Sequence, residues 1–277
     1  MIEIPETYVL SEQIEQTLVG KTIMDAVANG HPHSFAWYTG DPAAYKAMLA
    51  GKRVTGTNPG TGYTCGGNTE IVCEDMLLVI STPIKYHGPD AKLPTKHQLL
   101  LKFDDGSHMS CTVQMWGSML CGPVTESNNL GHYEYNHLPD PLTEAFNEAY
   151  FDGLLNAAKP SLSAKALLAT EQRIPGLGNG VLQDILFNAR IHPKRKLETM
   201  DDADREVLFN SVKSTLAQMR DEGGRDTEKD LFNRNGGYRT ILSKNTLAHP
   251  CRVCGGGITR QAYLGGNIYF CAACQPL

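Results

Sequence analysis

Two Cys-x-x-Cys pairs, Cys251/Cys254 and Cys271/Cys274, close the sequence. Each pair can turn two thiolates toward one point, and a hairpin between the pairs brings all four around one Zn²⁺. Gly255-Gly256-Gly257 leaves the first pair, Ile258 to Leu264 reads as a strand, Gly265-Gly266 as a turn and Asn267 to Phe270 as the returning strand. Two disulfides or four unrelated thiols are the alternatives, and ribbon spacing in a reducing compartment favours zinc. Four thiolates leave no position for water, so the one ion is read as structural.

A second candidate is Arg173-Ile-Pro-Gly-Leu-Gly-Asn-Gly-Val-Leu-Gln183, where Gly176, Gly178 and Gly180 break one helix and open the next. Glycines let a phosphate approach backbone N–H groups, and a helix start adds its dipole. Asn179 is placed near the cap with its amide free to donate. A tight interhelical corner accounts for the same glycines. No strand precedes the turn, so it is not a dinucleotide-binding fingerprint. Glu3 and Glu6 open the first helix, where the dipole favours carboxylates. His31-Pro-His33 lacks ligand partners at useful spacing and reads as loop.

The elements that position these residues fall into two halves. Pro5 to Val19 reads as a helix with Leu10, Ile14 and Leu18 on one face and Gly20 closing it. Short β-rich segments follow: Thr22 to Val27, Arg53 to Thr57, Thr69 to Cys73, Met76 to Ser81, Gln98 to Phe103 and His108 to Gln114. From about Pro141 the period is helical, over Leu142 to Phe151, Ser163 to Ala169, Gly180 to Asn188 and Asp201 to Asp221. The last has a stripe of Val207/Leu208, Val212, Leu216 and Met219. The expected class is α+β: an N-terminal antiparallel β-sandwich with a leading helix over 1–127, a linker over 128–140, a helical domain over 141–245 and the ribbon over 246–277.

Charge divides the same way. Residues 1–150 carry eight Lys/Arg against 17 Asp/Glu, residues 151–277 carry 17 against 13, and the whole has net charge −5. From Leu231 onward there are five basic side chains and no acidic one. A polyanion held by the second half is expected, and the overall acidity argues against nonspecific coating of nucleic acid. Met1 to Gly20 has no basic stretch, and no apolar run reaches membrane length. A monomeric cytoplasmic protein is expected, with Cys65, Cys73, Cys111 and Cys121 as small buried hydrophobes.

The chain resembles the formamidopyrimidine-DNA glycosylase / endonuclease VIII family from end to end. The likeness rests on Glu3, Pro5 and Glu6, Val19-Gly-Lys-Thr-Ile23, Leu138-Pro-Asp-Pro-Leu142, Lys165-Ala-Leu-Leu, Ile174 to Gly180, Ile191-His-Pro193 and Pro250-Cys-Arg-Val-Cys-Gly255. It implies a helix–two-turns–helix domain beside the ribbon, with DNA carrying damaged or abasic sites held between two lobes. A damaged, usually oxidised, base is flipped from the duplex, its glycosidic bond is cut, and the backbone is broken by β-elimination. Asn179 and the backbone of Gly176, Gly178 and Gly180 would clasp phosphates, with Lys165 and Arg260 in support. Glu3 would handle protons at the sugar and Glu6 would hold nucleophile and base.

The departures cluster at the chemistry. Where the family has an N-terminal proline whose amine attacks C1′, this chain has Ile2, so the nucleophile would be the Met1 amine. The family lysine expected near Gly62 is absent from Asn58 to Gly67, and Gly266 stands where a ribbon arginine is usual. Val79-Ile-Ser-Thr-Pro-Ile84 replaces a His-Leu-Gly-Met-Ser-Gly stretch. Gln114-Met115-Trp116 aligns with the Arg-x-Phe that fills the hole left by a flipped base, which leaves Trp116 as a wedge or as a core residue. Excision of oxidised bases is the leading expectation. A catalytically silent nucleic-acid-binding homologue and a protein-interaction scaffold are the alternatives.

Overall fold

The computed structural model describes residues 2–60, 67–126, 129–130, 133–134, 138–170 and 172–277. Helix α1 (Ile4–Leu18) starts where expected, with Pro5 in its first turn and the Glu6 carboxylate accepting from the Glu3 N–H at 3.0 Å. Strand β1 (Ile23–Ala28), the short β2 (Ala36–Trp37) and helix α2 (Tyr45–Leu49) follow. Then come β3 (Val54–Gly60), β4 (Asn68–Cys73), β5 (Met76–Ile80), β6 (Ile84–His87), β7 (Leu99–Phe103), β8 (His108–Cys111) and β9 (Gly117–Pro123). They form a four-stranded sheet of order β1-β7-β8-β6 and a five-stranded sheet of order β2-β9-β5-β4-β3. Leu99, Leu101 and Phe103 from one sheet share a core with Ile71, Leu78, Ile80 and Met119 from the other, and Leu10, Ile14 and Leu18 of α1 join them. This is the expected sandwich with its leading helix.

The β3/β4, β4/β5, β5/β9 and β2/β9 pairings bring Gly60, Asn68, Ile80, Gly117 and Ala36 to one end of the five-stranded sheet. The N-terminus docks at that end: the Gly67 N–H donates to the Ile2 carbonyl at 3.2 Å. A Cβ on Gly67 would lie 2.9 Å from the Glu3 backbone, so the close approach requires glycine. The expected linker contains the two-stranded pair β10 (Asn129–Leu130) and β11 (Tyr133–Glu134).

The second half contains α3 (Glu148–Ala157), α4 (Asn179–Asn188) and α5 (Asp202–Asp221). Helix α3 begins six residues later than the expected Leu142 start, because the Asn147 side chain caps it by accepting from the Tyr150 N–H and Asp140 organises the preceding turn. The segment expected as a helix from Ser163 ends in a π-type turn over Ala166–Thr170. Asp201 and Asp204 form a reciprocal cap on α5. Leu208, Val212, Leu216 and Met219 are buried as expected, whereas Val207 is exposed. The ribbon strands are β12 (Thr259–Tyr263) and β13 (Gly266–Phe270). Their turn falls on Leu264-Gly265, one residue earlier than expected, and both residues have positive φ.

The two halves exchange side chains. Ile2 packs in the sheet core while Ile4, two residues on, packs with α4 and α5. In return, Leu231 from the segment after α5 is fully buried in the sheet core, and its carbonyl accepts from the Tyr86 N–H.

Candidate functional site

Glu3 lies between those two cores and is 5% exposed. Its side chain also reaches beyond its own helix. Both carboxylate oxygens accept backbone N–H groups at the start of α4, from Gly180 at 2.9 Å and Val181 at 2.8 Å. A helix N-terminus is a prepared anion site, and in this fold the anion is supplied from residue 3. The Gly180 donor, expected to hold phosphate, holds Glu3 instead. The glycines have a matching cause: a Cβ on Gly178 would sit 2.5 Å from the Glu3 carboxylate, and one on Gly180 would overlap the Arg225 guanidinium. Gly176, at positive φ, gives its carbonyl to the Ile4 N–H at 3.1 Å.

Arg225 joins the two glutamates. Its Nε and Nη2 donate to the two oxygens of Glu6 at 2.9 and 2.6 Å, and its Nη1 lies 3.6 Å from Glu3 Oε1. Burial alone would raise the Glu6 carboxyl, but the Arg225 charge and hydrogen bonds override it and hold Glu6 below the usual carboxylate range. The fork geometry suits arginine and not lysine. No sequence motif pointed to Arg225; the only local signal is its position after Gly223-Gly224.

The glycine turn also touches the ribbon. Asn179 is the first residue of α4, and its amide is not free as expected: Nδ2 donates to the Asn267 carbonyl at 2.9 Å. Gln183 bonds the same carbonyl through Nε2 and accepts the Tyr269 N–H at 2.9 Å. Lys165 is 2% exposed, its ammonium donates to the Tyr263 carbonyl at 2.6 Å, and burial lowers its pKa. It is placed as a tether for the hairpin, not as an open phosphate contact. Arg260 is exposed on β12, with Nε on Asn267 Oδ1 at 3.1 Å. Gly266 lies beside these groups, and a Cβ there would be 3.5 Å from Lys165 Nζ and 3.6 Å from the Asn179 amide. Asp184 completes the join by accepting the Ile241 and Leu242 N–H groups, although burial pushes its carboxyl up to about 6.

The sulfurs of Cys251, Cys254, Cys271 and Cys274 lie within 4.8 Å of one another. Cys251–Cys274 and Cys254–Cys271 are 3.8 and 3.4 Å apart. Tetrahedral zinc with Zn–S bonds of about 2.3 Å sets its sulfurs about 3.8 Å apart. The four cysteines therefore fit one structural zinc, held under the hairpin that meets α4.

Cys73, Cys111 and Cys121 are buried, and burial pushes the Cys73 and Cys121 thiols up to about 12. Met1, Gly62 and Cys65 lie outside the described residues. Trp116 sits in the loop before β9, half-buried, with Trp37 at 6.2 Å between ring centroids. His31 and His33 are in a loop, as expected. Among the described residues, no helix is long and apolar enough to cross a membrane.

Comparison with known proteins accounts for this layout. Residues 138–229 match the family model of the formamidopyrimidine-DNA glycosylase H2TH domain. A formamidopyrimidine-DNA glycosylase from Cronobacter sakazakii is 32% identical over 99% of this chain and 100% of its own length. One from Mycobacteroides abscessus is 27% identical over 100% of this chain and 99% of its own. Among solved structures, a Lactococcus lactis Fpg in complex with DNA containing an abasic site superposes with a TM-score of 0.81 at 20% identity, over 99% of this chain and 100% of that one. The MutM (Fpg) protein of Thermus thermophilus gives 0.76 at 20% identity, over 99% and 98%. With full-length coverage on both sides, and a matched H2TH segment that contains the Asn179 turn and Arg225, the chain belongs to the formamidopyrimidine-DNA glycosylase family.

Proposed function

We propose that this chain is a DNA-repair glycosylase that binds duplex DNA carrying a damaged or abasic nucleotide, excises oxidised bases and cleaves the abasic product by β-elimination. One observation carries the reading. Glu3 is anchored to the first turn of α4, and Asn179 on the same turn is anchored to the ribbon. A carboxylate suited to proton transfer at a sugar and two elements suited to holding phosphates thus meet at one place. The abasic-site complex of the Lactococcus lactis relative supports the same ligand.

Each part has a separate task. Glu3 is oriented by two backbone donors and so is positioned to move a proton at the deoxyribose. The Arg225–Glu6 pair ties the first turn of α1, and with it the N-terminal residues, to the segment after α5. Arg260 offers an exposed charge on the ribbon, and the second N–H of the Asn179 amide offers a neutral donor. Chemistry at C1′ requires the nucleotide to leave the stack, and a damaged pair opens at lower cost. In the covalent step, the terminal amine bonds to C1′ as the base departs with the electron pair of the glycosidic bond and gains a proton. The aminal so formed loses a proton from nitrogen, and its C1′–O4′ bond opens as Glu3 passes a proton to O4′. The protonated Schiff base that results loses its C2′ proton as the 3′ phosphate leaves.

Borohydride trapping on a duplex with an abasic site tests this. The expected result is a covalent adduct that maps to the N-terminal peptide and is reduced in Glu3→Gln. Duplex affinity without an adduct would remove the lyase step and leave a binding protein. No affinity for damaged duplex would overturn the whole reading.

A further inference from the structure

Four aromatic side chains of the first half form one row, exposed at Phe35 and Trp37 and half-buried at His33 and Trp116. His33, Phe35, Trp37 and Trp116 follow one another with ring centroids 6.2, 6.5 and 6.2 Å apart. Phe35 is 56% exposed and Trp37 37%, and Met115, next to Trp116, is 71% exposed. Three segments build this face. The Gln98 side chain donates to the His31 carbonyl and accepts the Val113 N–H, both at 2.8 Å, and the Gly117 N–H donates to the Phe35 carbonyl at 3.0 Å.

Residues 26–40, 91–103 and 107–119, which supply those segments, contain no Asp or Glu, in a half that otherwise carries 17 of them. Lys92 and Lys96 lie in the second segment. Large apolar side chains grouped at the surface mark a contact site, and the missing carboxylates suit a polyanion. The location agrees. Strand β2 reaches the sheet end where Gly67 meets Ile2 and Glu3, and it lies three strands from β4. Three strand spacings of about 4.8 Å put the row roughly 14 Å from the Glu3 site.

We infer that this face is a stacking platform for unpaired nucleobases, so that the protein prefers a strand opened over several nucleotides to a duplex unpaired only at the lesion. The inference rests on the DNA-repair reading above. Base–aromatic stacking tolerates any sequence, because every base has a π-face. Neighbouring rings are inclined to one another by 58°, 53° and 63°, so a base would stack on an exposed ring face and not between rings, which suits bases that have left the stack. A single wedge at Trp116 would not need exposed rings at 35 and 37.

Trp37 and Trp116 are the two tryptophans of the chain, so their emission reports on this face alone. The zinc-loaded protein is titrated with two probes, a duplex with a tetrahydrofuran abasic analogue in paired flanks and the same analogue within a short internal bubble. The bubble is expected to bind more tightly and to quench tryptophan emission more strongly. Trp37→Ala should weaken bubble binding roughly 5- to 150-fold, the loss of one stacked base, while leaving the paired duplex unchanged. Phe35→Ala, at a mostly exposed position, should weaken the bubble in the same sense without touching the core. If the paired duplex binds while the bubble causes no quenching, or the variants weaken both probes equally, the platform is overturned and the repair reading stands; a face that docks a protein would give that result. If neither probe binds, the repair reading fails and takes the platform with it.

Discussion

The helix–ribbon half and the sheet half hold their functional residues by different means. In the helix–ribbon half, Asn179 and Gln183 bond α4 to the hairpin, Asp184 bonds it to Ile241 and Leu242, and the four cysteines gather at the base of the hairpin. In the sheet half, Trp116 and Phe35 sit on connections at a strand end. Of the departures that the resemblance implies in the sheet half, Gln114 to Trp116 lies on such a connection, whereas Val79 and Ile80 lie within β5. A side chain that many partners hold is costly to replace, whereas one on a loop end can change without unfolding the scaffold.

Removing the metal should break that contrast most strongly. Structural zinc contributes on the order of 10–16 kcal/mol of binding free energy. Chelation should therefore expose amides 251–275 to hydrogen exchange while those of 99–121 stay protected; equal loss in both would show that the halves are not separate in this respect. Next in size is Arg225→Ala, which leaves Glu3 and Glu6 buried without their cation. A cost of about 3–5 kcal/mol is expected in urea unfolding, and a cost near zero would mean that the glutamates find other partners.

Acid should act on the same lock. The Glu6 carboxyl is held below its ordinary 4.5, so its contribution is present above that value and is lost as pH falls through the lowered one. The urea midpoint should decline below about pH 4.5, and Glu6→Gln should flatten the decline while lowering the neutral-pH plateau. The smallest effect is expected from Asn179→Ala. Loss of its bond to Asn267 should cost about 1 kcal/mol, visible as lower protection of β13, with a drop in duplex affinity larger than the stability change explains.

The sequence carried much of this and missed some of it for physical reasons. The cysteine pairs were legible because coordination chemistry fixes their spacing. Helix α5 was legible because Asp201 and Asp204 announce its start. Most strands with marked apolar content were found, but β2, β6 and β9 were not: β9 is buried on both faces, shows no alternation, and begins with Gly and ends with Pro. The start of α3 was misplaced because Asn147 outweighs the earlier apolar residues. Glu3 was legible as a site residue, but its partners at 180, 181 and 225 were not, since bonds across more than a hundred residues leave no local pattern. The same glycines were read as room for phosphate when they are, in the fold, room for a carboxylate and a guanidinium.

The exchange of Ile4 for Leu231 bears on how the protein opens. Each lobe has one aliphatic residue seated in the other, and both are fully buried. Spreading the lobes would draw both anchors into water, at about 1.5–3 kcal/mol apiece. Wholesale clamping around a ligand is thereby disfavoured.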